Sequence, residues 1–324
     1  VRRRTVLALA LLALAVFAPV AFAGASSSVT LSLVAYSTPR AAYADIIPAF
    51  QATAAGKDVQ FTQSYGASGD QARAVIAGLK ADVVALSLEP DLKTLVQAGI
   101  VDPSWSKNAY QGMVTNSVVV FVLRNGNPKH IKTWNDLLKP GVQIVTPNPF
   151  TSGGARWNIM AAYGAWLKEK NTPAQARAKL LKLFKNVVVQ DSSARNALQT
   201  FTSGKGDVLL DYENEALFAH LPYVIPKETI LIQNPVAVTK DSPPEAKAFL
   251  KFLWTPAAQE IFAKNGYRPV VKSVVEKYRY QFPTRHGLFR ISWLGGWDKI
   301  QKQFFDPNTG IIAQIERETG GTTG

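Results

Sequence analysis

The chain has 324 residues, 47% of them hydrophobic, with no cysteine, three histidines and a formal net charge of +13. That length and apolar content suit one large domain or two lobes with sizeable cores. The lack of cysteine excludes disulfides, a thiol nucleophile, a thiolate metal site and a lipidated cysteine, and His130, His220 and His286 are too scattered for ordinary zinc chemistry, so no metal and no cofactor is expected.

Arg2, Arg3 and Arg4 precede an apolar run over 6–20, and Ala21-Phe22-Ala23 fits a small-x-small cleavage site. Residues 1–23 are therefore expected to be a secretory signal peptide, cleaved or kept as an anchor. Its three arginines removed, the exported chain keeps a charge of about +10. Nucleic acid is not an expected partner of such a protein, and the excess charge reads as a solvated basic surface. Arg177, Lys179, Lys182 and Lys185 alternate with Leu180, Leu181, Leu183 and Phe184 as the wet face of an amphipathic helix.

Past residue 28, strands and helices alternate. Strands are predicted over 29–35, 59–63 and 83–87, with helices over 39–53, 70–79 and 90–97, the last closed by Gly99. The same grammar returns with strands over 142–146, 187–190 and 208–211, and helices over 155–168, from Arg195, and over 213–219. This predicts an α/β chain with two lobes, each a mostly parallel sheet flanked by helices. Apolar strands over 117–123 and 230–239 fall at the junctions and would act as two crossover hinge strands. The expected division is lobe 1 over 29–114 and 231–318, lobe 2 over 115–230, and a flexible tail over 319–324.

Four strand-to-helix turns resemble one another: "YSTPRAAY" at 36–43, "YGASGDQAR" at 65–73, "TSGGARW" at 151–157 and "DSSARNAL" at 191–198. Each places Ser or Thr where an N-cap is expected. The second and third add glycine, which lets a backbone approach a ligand closely. In open α/β sheets this edge is where ligands bind, and a helix N-terminus with free N–H groups favours an anion. No lysine stands at the glycine-hydroxyl step and no GxxxxGK[ST] loop occurs, which argues against a nucleotide phosphate. Arg40, Arg156 and Arg195 lie near three of the starts and Arg73 slightly further in, where a cation opposes the helix dipole. Most of them are expected to brace the loops from behind by pairing with carboxylates.

The donor set also speaks to which anion. Sulfate only accepts hydrogen bonds, whereas a protonated phosphate needs an acceptor facing it. Ser68-Gly69 and Ser152-Gly153-Gly154 contain no acid, although Asp70 and Asp191 flank two of the turns. Hydrogen bonds to charged groups are worth about 1.5–3 kcal/mol each, so roughly six exceed the ~8 kcal/mol of micromolar binding.

At these residues the chain resembles the sulfate-binding receptors of ABC transporters, in the periplasmic-binding-protein superfamily. The resemblance runs from about Val29 to Glu318 and is carried by "QSYGASGDQ" at 63–71, "ADVVALSL" at 81–88, "GNPKHIKTWNDLLKPGV" at 126–142, "TPNPFTSGGARWN" at 146–158, "GDVLLDYENEA" at 206–216 and "LGGWDKIQKQFF" at 294–305. It implies the type II two-lobed fold, a monomer, and delivery of sulfate to a membrane permease. It also implies a ligand set: Ser68 by backbone and hydroxyl, Ser152 by hydroxyl, Gly153, Gly154 and Ala194 by backbone N–H, and Ser37 through the main chain where the family commonly has Asp. Tyr212 matches a family tryptophan whose indole N–H reaches sulfate, and this change leaves sulfate, thiosulfate and related oxyanions such as molybdate open. Tyr212 is alternatively an aromatic wall that makes no bond to the anion. Ser104-Trp105-Ser106-Lys107 spells S-x-x-K, but its companion motifs and a GxSxG elbow are missing, so a serine hydrolase is the remote alternative and no enzyme is expected.

Overall fold

A computed structural model describes residues 28–284 and 286–322; the expected signal segment, 1–23, lies outside the described residues. The chain first forms β1 (Val29–Tyr36), α1 (Arg40–Gln51), β2 (Val59–Gly66), α2 (Ser68–Ile76), β3 (Val83–Ala85) and α3 (Glu89–Gln97). From Leu31 onward β1 is buried on both faces, as befits a parallel strand between helix layers. β2 pairs with it in parallel at the sheet edge and carries polar Gln60, Thr62, Gln63 and Ser64, which blunt that edge. β3 pairs with β1 on the other side, also in parallel.

The chain then forms β4 (Met113–Leu123), β5 (Ile144–Pro147), α4 (Gly153–Lys168), α5 (Pro173–Lys185), β6 (Val187–Asp191), α6 (Ala194–Thr202), β7 (Val208–Tyr212), α7 (Glu213–Phe218), β8 (Tyr223–Val224) and β9 (Glu228–Val238). β5 lies in parallel between β6 and β7. β4 and β9 are the two long apolar strands, and they run antiparallel to each other through the middle of the two-lobed molecule. Val236, Ala237 and Val238 of β9 complete the first sheet against β3, while the end of β4, from Val119 to Leu123, completes the second against β7. The sequence marked both strands as apolar; it carried no sign that they pair with each other.

The remaining elements are α8 (Pro244–Phe252), α9 (Pro256–Lys264), α10 (Lys272–Lys277), β10 (Gly287–Phe289), α11 (Trp297–Phe304) and α12 (Ile311–Thr319). α8 and α9 return to the first lobe, where Phe249 and Phe262 pack on Tyr43 and Phe249 packs on Phe50. From β10 onward the chain departs from the division expected from sequence. Phe304, Ile312 and Ile315 share a core with Trp157, Met160 and Leu180 of the second lobe. Tyr163 of α4 meets Phe304 edge-on at 4.7 Å, and Trp157 meets Trp297 at 4.7 Å. This explains α4, whose residues 157–166 are buried without a break. A helix apolar all round needs cover on every side, and the C-terminal segment supplies the outer side. The expected flexible tail is also tied down as far as it is described. Thr319 belongs to α12, Gly321 N–H donates to Glu316 O at 2.8 Å, and Asn148 Nδ2 donates to Thr322 O at 3.2 Å.

Candidate functional site

The turns after β1 and β2 of one lobe and after β5 and β6 of the other meet where the lobes join, and α1, α2, α4 and α6 begin there; the seam between them is the candidate cleft. The turns touch across it. Gly69 N–H donates to Thr151 O at 3.1 Å, and Arg195 N–H reaches Ser37 Oγ at 3.4 Å. Within the second lobe, the starts of α4 and α6 are adjacent: a methyl built on Gly154 would lie 3.4 Å from Ala194 Cβ.

Of the serines at these starts, Ser193 caps its helix, whereas Ser68 and Ser152 do not. The residues that precede the four helices are Pro39, Ala67, Ser152 and Ser193, and of these only Ser193 accepts a cap hydrogen bond, from Asn196 N–H. Ser68 is the first helical residue of α2 rather than its cap, and Ser152 occupies the cap position without capping. Their side chains are therefore not spent on the helix. Ser68 Oγ accepts from Ser87 N–H at 2.9 Å, and its own hydrogen faces the buried Asp91 carboxylate, whose pKa it helps to lower. Gly153 and Gly154 open α4, where N–H groups have no intrahelical acceptor. Ser68, Ser152, Gly153, Gly154 and Ala194 are all buried beside the cleft.

The arginines divide by partner. Arg195 makes a two-pronged bond to Glu215, Nε to Oε2 at 2.7 Å and Nη2 to Oε1 at 2.8 Å, and Nη2 also donates to Thr38 O of the first lobe at 3.0 Å. Burial works against its charge, yet Glu215 outweighs this and holds its pKa up. Arg156 Nε donates to Pro149 O at 2.7 Å, and its guanidinium faces Asp91 of the first lobe at 3.8 Å. That spacing is too long for a hydrogen bond, so burial still pushes Asp91 up and Arg156 down. Arg73 pairs with Asp70. Arg40 departs from the expectation: instead of a carboxylate it stacks on the Tyr65 ring, 4.5 Å from the centroid. Both flanking acids are likewise engaged, Asp70 with Arg73 and Asp191 as acceptor from Thr200 Oγ1 at 3.0 Å. Asp211, behind Tyr212, is buried with Oδ2 unpartnered, and burial next to Glu215 raises its pKa well above the usual carboxylate value.

Tyr212 ends β7, buried with its ring against Gly154. Its hydroxyl hydrogen-bonds Ser87 Oγ of the first lobe at 2.5 Å. Ser87 is the residue that sequence reasoning passed over. It has no glycine beside it and sits in the apolar "ALSL" stretch, so it reads as strand interior. The available signal was a hydroxyl just past the end of a parallel strand, at the same edge as the other four turns.

A profile of the family described as bacterial extracellular solute-binding protein matches residues 31–268. The sulfate-binding protein of Synechococcus elongatus is 43% identical, with 92% of this chain and 89% of the relative covered. The thiosulfate-binding protein of Pseudomonas aeruginosa is 36% identical, with 87% of this chain and 90% of that one covered. Among solved structures, the sulfate-binding protein SubI from Mycobacterium tuberculosis superposes with a TM-score of 0.83 at 40% identity, with 86% of this chain and all of that chain covered. The chain belongs to the bacterial extracellular solute-binding proteins, in the family of the sulfate-binding proteins. These relatives are named for binding and none of the three for catalysis. The turns where the chain's two lobes meet carry hydroxyls and helix-start amides, with Arg156 and Arg195 held by Pro149 and Glu215.

Proposed function

We propose that this solute-binding protein captures sulfate in the cleft and delivers it to the permease of an ABC importer. The observation that supports this most is the set of hydroxyls and amides left unspent by the helix starts. Ser37 and Ser68 stand on the first lobe; Ser152, Gly153, Gly154 and Ala194 stand on the second. Closure would gather these neutral donors around a small dianion. The positive ends of α2, α4 and α6 would add to the attraction. Arg156 and Arg195 act from behind, fixing loops through Pro149, Thr38 and Glu215 rather than by touching the anion. The relatives named for sulfate support the same ligand. Delivery fits export directed by residues 1–23, a monomer, and lobes spanning roughly 29–114 with 231–286, and 115–230 with 287–322. No reaction is assigned to the site.

Thiosulfate is the second reading, favoured by the Pseudomonas aeruginosa relative and by a tyrosine at position 212, whose hydroxyl is already bonded to Ser87. A competition titration with sulfate, thiosulfate, molybdate and phosphate, followed by tryptophan fluorescence, separates the readings. Sulfate is expected to displace the other three. Tight phosphate binding with sulfate ignored would overturn the donor-only argument.

A further inference from the structure

Ser87 lies just past β3, and three of its polar atoms are committed at once. Its N–H donates to Ser68 Oγ at 2.9 Å within the first lobe. Its carbonyl accepts from Trp157 Nε1 of the second lobe at 3.0 Å and from Asn234 Nδ2 of β9 at 2.9 Å. Its hydroxyl meets Tyr212 OH of the second lobe at 2.5 Å. Ser87 is 1% exposed and Tyr212 1%. Around this point the surfaces fit without slack. A methyl on Gly153 would lie 2.5 Å from Ser87 Oγ, and one on Gly154 would lie 2.9 Å from Tyr212 Cε2. The two glycines thus serve a second purpose, since they admit Ser87 and Tyr212 to the same spot.

We propose that Ser87 is a positioning residue that latches the closed cleft: its hydroxyl and carbonyl hold Tyr212 and Trp157 of the opposite lobe, while its amide donates to the Ser68 hydroxyl and fixes its place. The proposal rests on the reading of the cleft as an oxyanion site. Opening the lobes breaks both bonds to the second lobe together. Neither partner can find water until the cleft has parted, because all three residues are buried. The latch therefore acts on release. Association begins from the open form, where the latch does not exist, and stays near its wild-type rate. Tyr212 accordingly contributes by holding the lobes shut, through a hydroxyl bonded to Ser87.

The test is stopped-flow release and association, read by tryptophan fluorescence, for the wild type, Ser87→Ala, Tyr212→Phe and the double variant. Loss of one buried hydrogen bond predicts release faster by about tenfold in each single variant. Association is expected to change by less than about threefold. The double variant is expected to release no faster than either single one, since both remove the same bond. Thermal unfolding without anion checks that each variant is folded. Wild-type release rates in folded single variants, or fully additive effects in the double one, would overturn the latch and leave the oxyanion reading standing. A wild type silent toward sulfate, thiosulfate, molybdate and phosphate would overturn both.

Discussion

Asp211 shows how a single group behind the cleft shapes the protein's response to pH. Its carboxyl is fully buried, Oδ1 accepts from Tyr212 N–H at 2.8 Å, and Oδ2 has no partner. Burial, with Glu215 nearby, raises its pKa well above the ordinary 3.8. Below 3.8 the folded and unfolded chains both carry the proton, and the contribution to stability is fully present. As pH rises past that value the unfolded chain ionises first while the folded chain keeps its proton, so stability is lost up to the folded pKa. Asp211→Asn keeps an acceptor for Tyr212 N–H and removes the titration. Melting temperatures between about pH 4 and 8 should then fall less steeply in the variant than in the wild type. Parallel curves would contradict this. At this scale the sequence was legible in part. Ser68, Ser152, Gly153 and Gly154 stood out because glycine and hydroxyl next to a helix start are unusual together. Whether a serine caps is decided by which residue turns helical first, and that placed Ser68 one position inside α2. Arg40 and Arg156 looked alike in sequence, yet Arg40 rests on the Tyr65 ring, whereas Arg156 lies over the Phe305 ring, donates to a carbonyl and faces a distant carboxylate.

Two helices carry consequences beyond their own residues. α4 begins at Gly153, whose φ is not positive, so alanine is compatible with the backbone there. The obstacle is across the cleft, in Ser87 and Leu88. Gly153→Ala is expected to fold normally and to lose at least about tenfold in sulfate affinity, because closure would force these groups to shift. Calorimetric titration beside a thermal melt checks it; wild-type affinity would show that the cleft does not close this tightly. Farther along, α4 depends on α11 for its outer face. Phe304 is 1% exposed and packs on Tyr163. Phe304→Ala should cost about 3–5 kcal/mol of unfolding free energy, measured by denaturant titration. A cost below about 1 kcal/mol, the size of a surface substitution, would mean that α11 is not integral to this lobe. The elements themselves were legible, since a period of two alternating with 3.6 marks strand and helix locally. The lobe that receives α11 and α12 was not, because that depends on contacts between residues more than a hundred positions apart.

The described strands form one connected ten-stranded mixed sheet, with parallel β2, β1 and β3 on one side and parallel β7, β5 and β6 on the other, linked through the antiparallel strands β9 and β4. Parallel strands point their carboxyl ends one way, so each lobe presents its helix starts along one edge, and the crossing strands turn the two edges toward each other. The bonds from one lobe to the other described above lie on that edge, among them Gly69 to Thr151, Arg195 to Ser37 and Thr38, and Ser87 to Tyr212 and Trp157. On the proposed reading, a dianion held there by neutral donors would add no proton to the site, so its capture should be nearly independent of pH wherever sulfate is ionised. The most direct measurement is isothermal calorimetry of the purified protein with sulfate at neutral pH. The predicted result is one saturable site with a dissociation constant of about micromolar or tighter, accompanied by a higher melting temperature as sulfate is raised. No heat of binding and an unmoved melting temperature at millimolar sulfate would contradict the account.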